Sequence, residues 1–227
     1  MRLESLRVVL LSAVLALTAC SSSTPSGDDA GTPSPGGNGQ PDPGTPGTVA
    51  RSSRNNLRFK GAERLASDFA TALSLPSDQV CNELGQYPCT SFVHTVTLGG
   101  VDPYASSLYE PLTVSGVTTP IAVDRVALSA CGRRVTLDLT TPSAAVLFKG
   151  IPLDAQGRLA TREGTPVKDA ITALYQRGLL RDPTDAELSA LIQLSTDIES
   201  SGSAHPGQDW MKAACFVVLT SAESVFF

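Results

Sequence analysis

The sequence predicts a small, mainly α-helical domain with turn-rich irregular loops, a possible short strand pair and two disulfides. Three observations support this class. Four apolar stripes with helical spacing lie between residues 62 and 217. The stretches that alternate between apolar and polar residues are short and only partly regular. Four cysteines follow residue 50, and an even number favours disulfides if the chain is exported.

The first twenty residues have the pattern of a secretory signal. Arg2 and Arg7 precede an apolar run from Val8 to Leu17. As a helix this run is roughly 15 Å long, about half of the ~30 Å of hydrocarbon in a bilayer, so it favours a signal peptide over a membrane span. We therefore assign residues 1–19 to a signal peptide.

The segment closes with Leu17-Thr18-Ala19-Cys20, which resembles the signal box of bacterial lipoproteins. The resemblance implies that Cys20 carries fatty acyl chains and that the peptide before it is removed. Each buried CH₂ contributes about 0.8 kcal/mol, so we expect Cys20 to anchor the chain at a membrane of the cell envelope. Ser21 stands where an Asp implies retention at the inner membrane, so the resemblance implies the outer membrane. The alternatives are an ordinary cleaved signal and a buried cysteine.

Residues 20–50 are predicted to be the lipidated cysteine followed by a disordered tether. Residues 21–50 include 7 Gly, 6 Pro, 5 Ser and 4 Thr, with no Lys or Arg. Such a segment cannot bury enough apolar surface to offset its ordering entropy. Its root-mean-square reach as a flexible coil is about 30 Å. We expect residues 51–227 to form one globular, mainly helical domain.

The charge of the chain excludes one class of partner. The sequence has 17 basic and 22 acidic side chains, a formal net charge of −5. Nucleic acids and anionic membrane surfaces attract basic proteins. We therefore expect no nucleic-acid partner, and attachment to the membrane through the lipid anchor. The five basic residues between Arg51 and Arg64 could touch lipid headgroups near the anchor, but a solvated helix start is favoured.

Four cysteines of the predicted domain allow three pairings: Cys81, Cys89, Cys131 and Cys215. Gly85 and Pro88 can turn the chain between the first two. We therefore expect Cys81–Cys89 and Cys131–Cys215. Loop entropy gives about 2.6 kcal/mol for the short bridge and about 4.6 kcal/mol for the long one. A zinc site is the alternative, but the chain has no CxxC and only two His.

The first helix is predicted before Pro76, from an apolar stripe at i, i+3, i+4, i+7 and i+11: Ala62, Leu65, Ala66, Phe69 and Leu73. The middle of the chain is less regular. Residues 92–98 and 134–139 alternate in part, so short strands or extended segments are possible there. Residues 99–120 are a turn-rich excursion, and a helix from Val123 is expected to stop at Gly132.

Three further helices are predicted in the C-terminal half. The first of these has Thr165 as its N-cap, Pro166 in its first turn, and the stripe Val167, Ala170, Ile171, Leu174 and Gly178. The next begins with the capping-box spacing of Thr184 and Glu187 and continues with Leu188, Leu191, Ile192 and Ile198. The last begins near Gly207 and Asp209 and has the stripe Trp210, Ala213, Ala214 and Val217.

Two stretches of this half resemble uncharacterised helical domains of large exported planctomycete and myxobacterial proteins. Residues 174–188 follow the pattern Leu-Tyr…Gly-Arg-x-Pro-[Ser/Thr]-x-x-Glu-[Leu/Val], except that Leu180 replaces the Gly. Residues 210–224 end like the pattern Leu-[Thr/Ser]-Ser-x-Glu-Phe, except that Ser224 replaces the Phe. The resemblance implies a helix–turn–helix corner. Many of these proteins sit beside cytochrome c modules, which implies a redox neighbourhood, but this chain has no CxxCH haem motif of its own.

Candidate catalytic residues are few. Ser129 could act as a nucleophile with His94 as its base, yet the Gly-x-Ser-x-Gly turn is absent. We favour the interpretation that His94 is a partly buried packing residue and His205 an exposed loop residue. No phosphate loop, dinucleotide fingerprint or HExxH occurs.

Other charged residues have structural interpretations as well. Arg125, Arg133 and Arg134 could hold a carboxylate or phosphate, but an ion pair within the domain together with solvated arginines is favoured. Asp102, Asp124 and Asp138 lack the spacing of a calcium loop. We therefore assign no catalytic, cofactor-binding or metal residue and expect no cofactor.

The leading functional hypothesis is a membrane-anchored lipoprotein that acts as a non-catalytic interaction or accessory module, with another envelope protein as a possible partner. Two alternatives stay open: an accessory subunit of a periplasmic, cytochrome-associated redox assembly, and a hydrolase. The oligomeric state is left open too.

Overall fold

A computed structural model describes residues 57–111 and 116–227. The predicted signal peptide (1–19), the lipidation at Cys20 and the tether (20–50) lie outside the described residues. The helices are α1 Ala62–Leu73, α2 Thr119–Thr140, α3 Thr165–Gly178, α4 Asp185–Ser200, α5 Pro206–Leu219 and α6 Ala222–Val225. Strands β1 Asn82–Glu83 and β2 Tyr87–Pro88 pair antiparallel. The mainly helical class with a short strand pair and two disulfides is confirmed.

Helix α5 is the centre of the core and packs against α2, α3 and α4. It carries the chain's one tryptophan, Trp210, which is fully buried. The Trp210 indole N–H donates to the Leu191 carbonyl at 2.8 Å, and its ring meets Phe148 edge to face with centroids 6.3 Å apart. The Trp210 ring is therefore buried against apolar atoms, and its N–H donor has an acceptor.

The two disulfides join the pairs that the sequence favoured. Cys131 on α2 is bonded to Cys215 on α5, and both residues are fully buried. Cys81 is bonded to Cys89 and closes the hairpin of β1 and β2. One bridge therefore fastens two core helices, and the other fastens a loop.

Helix α2 corrects two expectations, because it neither stops at Gly132 nor leaves residues 134–139 as a strand. Glycine inside a helix costs about 1 kcal/mol relative to alanine, and the packing of α2 on α5 outweighs that cost. The next turns are held from within, since Arg134 and Asp138 pair at i, i+4 with 2.8 Å between their atoms. The partial alternation of residues 134–139 therefore belongs to a helix that contains a buried ion pair.

The expected strand at residues 92–98 is wrong as well. Cys89–Val93 is a π-helical turn, in which the His94 N–H donates to the Cys89 carbonyl at 2.7 Å, and further turns follow. Helix α3 differs in its first residue only: Thr165 begins the helix, and Gly164 precedes it without a side-chain cap. A Cβ at Gly164 would lie 2.7 Å from Thr161 Oγ1, which explains the glycine.

The pair of Arg134 and Asp138 connects three parts of the fold. The Asp138 carboxylate, 2% exposed, accepts from three consecutive backbone N–H groups at 2.8, 3.0 and 3.0 Å, those of Val146, Leu147 and Phe148. Arg134 Nη1 donates to the carbonyls of Leu73 and Ser74 at the end of α1. The favoured intradomain ion pair therefore exists, and cations at a helix C-terminus are favourable.

The corner between α3 and α4 is organised around Arg181. Its guanidinium binds Glu187 of α4 and Glu223 of α6, and it stacks 5.1 Å from the centroid of Tyr175. The capping box of Thr184 and Glu187 is present as predicted. Bonds from Arg181, and then from the Thr184 backbone N–H, lower the pKa of Glu187 to about 2. Arg181 thus joins the start of α4 to α6.

Candidate functional site

After α1, residues 81–111 contain only the short strands β1 and β2 and the turn Cys89–Val93. We call these residues the irregular layer, and it begins with the hairpin that the Cys81–Cys89 disulfide closes. Its tip has Leu84 and Gly85 at φ of +52° and +74°, in the left-handed region. The hairpin is closed by the Cys81–Cys89 bond and by the Cys89 N–H, which donates to the Cys81 carbonyl at 3.1 Å. Covalent and hydrogen bonding together hold this part of the layer in one shape.

Glu83 connects the hairpin to the rest of the domain. Its Oε1 atom lies 2.8 Å from His94 Nε2 and 3.0 Å from Arg125 Nε on α2. The His94 side chain is 13% exposed, so it is partly buried as expected. The histidine therefore has a clear structural use, because it fixes the hairpin to the turn that follows it.

The residues of the hydrolase hypothesis are not hydrogen-bonded to each other in the part of the chain that the structure describes. Ser129 lies on α2 one helical turn after Arg125, and His94 Nε2 is already directed at Glu83. His205 is exposed immediately before α5, as expected. A nucleophile and base in hydrogen-bond contact, the geometry that such chemistry needs, are not seen for this pair.

The remaining charged candidates are dispersed over the domain. Arg133 donates to the Gln79 side chain at 3.1 Å, and Asp138 is used by the contacts described above. Asp124 and Asp138 are both on α2, 14 residues and about 21 Å apart along its axis, so they cannot share one ion. Among residues 57–111 and 116–227, no group of three or more His, Cys, Asp or Glu is placed to hold a metal.

Exposed aromatic side chains cover the outside of the irregular layer. The rings of Tyr87 and Phe92 stack with centroids 5.7 Å apart. Beside Phe92 an open groove of about 530 Å³ is also lined by Val93, Val101 and Tyr104. Tyr104 is 99% exposed and Phe92 68% exposed. We call the five residues Tyr87, Phe92, Val93, Val101 and Tyr104 the aromatic face.

The loop that carries Tyr104 is held by its own hydrogen bonds. Asp102 and Leu108 exchange two backbone hydrogen bonds, each 3.0 Å long. The Asp102 carboxylate accepts from the Ala105 N–H at 3.0 Å and from the Ser106 hydroxyl at 3.1 Å. These bonds, that of Ala105 first, lower the pKa of Asp102. An ionised carboxylate therefore lines the same groove as Phe92 and Tyr104.

The aromatic face is not among the sites predicted from the sequence, although the chain contains a signal for it. Three of the four tyrosines of the chain lie between residues 87 and 109, in a sequence with only 5% aromatic residues. Apart from the partial alternation of residues 92–98, this segment has no helical or strand period by which a regular element could bury its aromatic side chains against the core. Clustered aromatics in a turn-rich segment were therefore a hint of exposed binding residues.

Two other cavities offer less for binding. A polar groove of about 450 Å³ between residues 154–163 and α4 contains Arg162 and Glu199, which are paired with each other. An apolar cleft of about 110 Å³ lies beside Phe59 and Phe226, whose rings pack edge to face. The charges of the first are paired internally and the second is small, so the aromatic face is the better candidate site.

Comparison of the chain with protein-family models, curated proteins and solved structures found no match. Within the described residues, no helix is both long enough and apolar enough to cross a bilayer.

Proposed function

We propose that the protein is a lipid-anchored, non-catalytic interaction module of the bacterial cell envelope, and that its aromatic face binds a partner protein. The anchor follows from the resemblance of residues 17–20 to the lipoprotein signal box. The observation that carries the binding role is the clustering of exposed aromatic side chains on loops held by a disulfide and by local hydrogen bonds.

Two free-energy costs, that of exposing these side chains to water and that of ordering them on binding, favour a binding role. Large apolar side chains contribute stability when buried, so their exposure in one cluster typically marks a contact surface. Tyrosine and other aromatic residues dominate the energy of protein interfaces. A rigid loop has little conformational entropy left to lose on binding. The disulfide hairpin and the Asp102 turn supply that rigidity.

Anchoring is tested by the mass and the location of the native protein. We expect Cys20 to be the first residue of the mature chain and to carry acyl groups, in the outer-membrane fraction. A soluble chain with an unmodified Cys20 would contradict the anchor. A Cys20→Ser variant is the matched control, because it should lose the membrane association while the fold of residues 57–227 is kept.

Partner binding is tested by site-specific photocrosslinking in intact cells. A photoreactive residue at Tyr104 should capture a discrete partner, whereas the same residue at Val217, exposed on α5, should not. Equal crosslinking from both positions, or none from Tyr104, would argue against the proposed surface. Capture of a haem protein from Tyr104 would favour the alternative of an accessory subunit in a redox assembly.

A further inference from the structure

The segment that carries the aromatic face is acidic in sequence. Residues 81–118 contain three carboxylates, those of Glu83, Asp102 and Glu110, and no Lys or Arg. Glu83 is neutralised by Arg125. Within the described residues, Asp102 and Glu110 take part in no ion pair, and both are partly or fully exposed. The surface therefore has uncompensated negative charge beside exposed rings.

Basic residues of the neighbouring elements do not cancel this charge. Lys60 and Arg64 line a second groove, of about 550 Å³, which shares Ser91, Thr95 and Val101 with the groove beside Phe92. Both basic residues bind Asp68, at 3.0 and 2.8 Å. They therefore leave the negative charge of Asp102 beside the rings of Phe92 and Tyr104.

We propose that the aromatic face binds a cationic protein segment, whose Arg or Lys side chains pack on the rings of Phe92 and Tyr104 and face the Asp102 carboxylate. The proposal rests on the proposed function, since it names the chemistry of the partner of that surface. Aromatic rings attract cations through their negative faces, and Arg also stacks on them. Asp102 lines the same groove as both rings, so one guanidinium can reach a ring and the carboxylate together.

The same charges disfavour other occupants. No Lys or Arg is among the described residues that line the groove beside Phe92 and Tyr104, so an anionic lipid surface or a nucleic acid would meet Asp102 there without a cation for its phosphates. A second copy of the face would bring two Asp102 carboxylates into one interface. A cationic segment is complementary in charge and in stacking chemistry.

The test uses the full chain isolated from the envelope in detergent and a short fluorescent peptide of alternating arginine and glycine. A peptide with citrulline in place of arginine keeps the shape and removes the charge. We expect the arginine peptide to bind, the citrulline peptide to bind at least about five-fold more weakly, and the affinity to fall as salt rises from about 0.05 M to about 0.5 M.

The double variant Phe92→Ala/Tyr104→Ala removes both rings from solvent-exposed positions. Its affinity for the arginine peptide should fall by roughly 4- to 25-fold, about two- to five-fold for each ring. Phe227→Ala is the matched control, because Phe227 is also exposed and aromatic but lies outside the face. It should leave the affinity unchanged. Unchanged denaturation midpoints in all variants show that the fold is intact.

Three outcomes would overturn the proposal: no binding at about 1 mM arginine peptide, equal binding of the citrulline peptide, or full binding by the double variant. Preferential binding of a polysaccharide, or self-association that the double variant abolishes, would assign the face to another occupant. Crosslinking from Tyr104 distinguishes a failure of the cationic chemistry from a failure of the proposed function. A captured partner without a basic segment refutes only the cationic chemistry, whereas the absence of any partner refutes the proposed function itself.

Discussion

Replacing Asp138 by asparagine should destabilise the domain severely, although the side chain changes by a single atom. The carboxylate is 2% exposed and accepts three backbone hydrogen bonds of 2.8 to 3.0 Å besides its 2.8 Å contact with Arg134. An asparagine removes the charge and directs an amide donor at groups that are themselves donors.

The expected magnitude follows from the partners left behind. Arg134 stays buried without a counter-ion, and breaking a buried ion pair from one side costs about 3–5 kcal/mol. An unsatisfied backbone N–H adds about 1–3 kcal/mol, although the two effects do not add fully. We therefore expect a loss of about 3–5 kcal/mol, a large part of the 5–15 kcal/mol typical of a folded domain.

Urea denaturation followed by circular dichroism, with the disulfides intact, measures this loss. Hydrogen exchange gives a local measure, because the amides of Val146, Leu147 and Phe148 donate to Asp138 and should lose protection. Asp124→Asn is the matched control on the same helix, and we expect it to change the unfolding free energy by less than about 0.5 kcal/mol. A loss below about 1 kcal/mol in Asp138→Asn, with protection retained, would refute the reasoning.

Three further predictions concern the corner, its pH dependence and the long disulfide. Leu180 is 89% exposed at φ +58°, so Leu180→Gly should stabilise the domain by about 0.5–1 kcal/mol. Leu180→Ala, which keeps the Cβ, should not stabilise the domain. Equal thermal midpoints for both variants would contradict backbone strain at this position. Because the folded pKa of Glu187 is about 2, below its ordinary value of 4.5, its contribution is present above pH 4.5 and is lost as the pH falls towards 2. Denaturation midpoints measured over this pH range should vary less in Glu187→Gln than in the natural chain. An equal change of the midpoint with pH in both chains would refute the stabilising role of the Glu187 carboxylate. Cys131→Ser/Cys215→Ser should lower the unfolding free energy by about 4.6 kcal/mol in denaturant titrations, and a loss under about 1 kcal/mol would show that the bridge adds little.

Local chemistry predicted the C-terminal helices well. The capping box of Thr184 and Glu187 is satisfied within four consecutive residues, so its spacing in the chain is enough to locate the start of α4. The apolar stripe of α1 is likewise complete in itself, and the structure buries Leu65, Phe69 and Leu73. Such elements need no knowledge of distant residues.

Helix α2 was harder to predict from the sequence, because the residues that stabilise it are distant in the chain. The pairing of Arg134 with Asp138 gains its value from the carbonyls of α1 and from the amides of residues 146–148. Without those partners, residues 132–139 present a glycine and three charged residues among apolar ones, a pattern that favours a helix end. Tertiary contacts override the local preference there.

The aromatic face was missed for a related reason. Whether an aromatic side chain is exposed depends on which surfaces the rest of the domain has already covered, and residues 87–109 form no periodic element that would reveal this. The negative charge of this part of the chain, by contrast, is visible in its composition, since residues 81–118 contain three carboxylates and no Lys or Arg.

The helical class, the capped corner and the two disulfide pairs could be predicted from the chain, because these features depend on near neighbours or on a small set of possible pairings. Three other features become visible only in the folded domain: α2 is one continuous helix around a buried ion pair, Arg181 joins α4 to α6, and Phe92 and Tyr104 line one groove with Asp102. Each of these depends on residues distant in the chain that become neighbours only when the core packs, and burial, pairing and exposure are defined at that point.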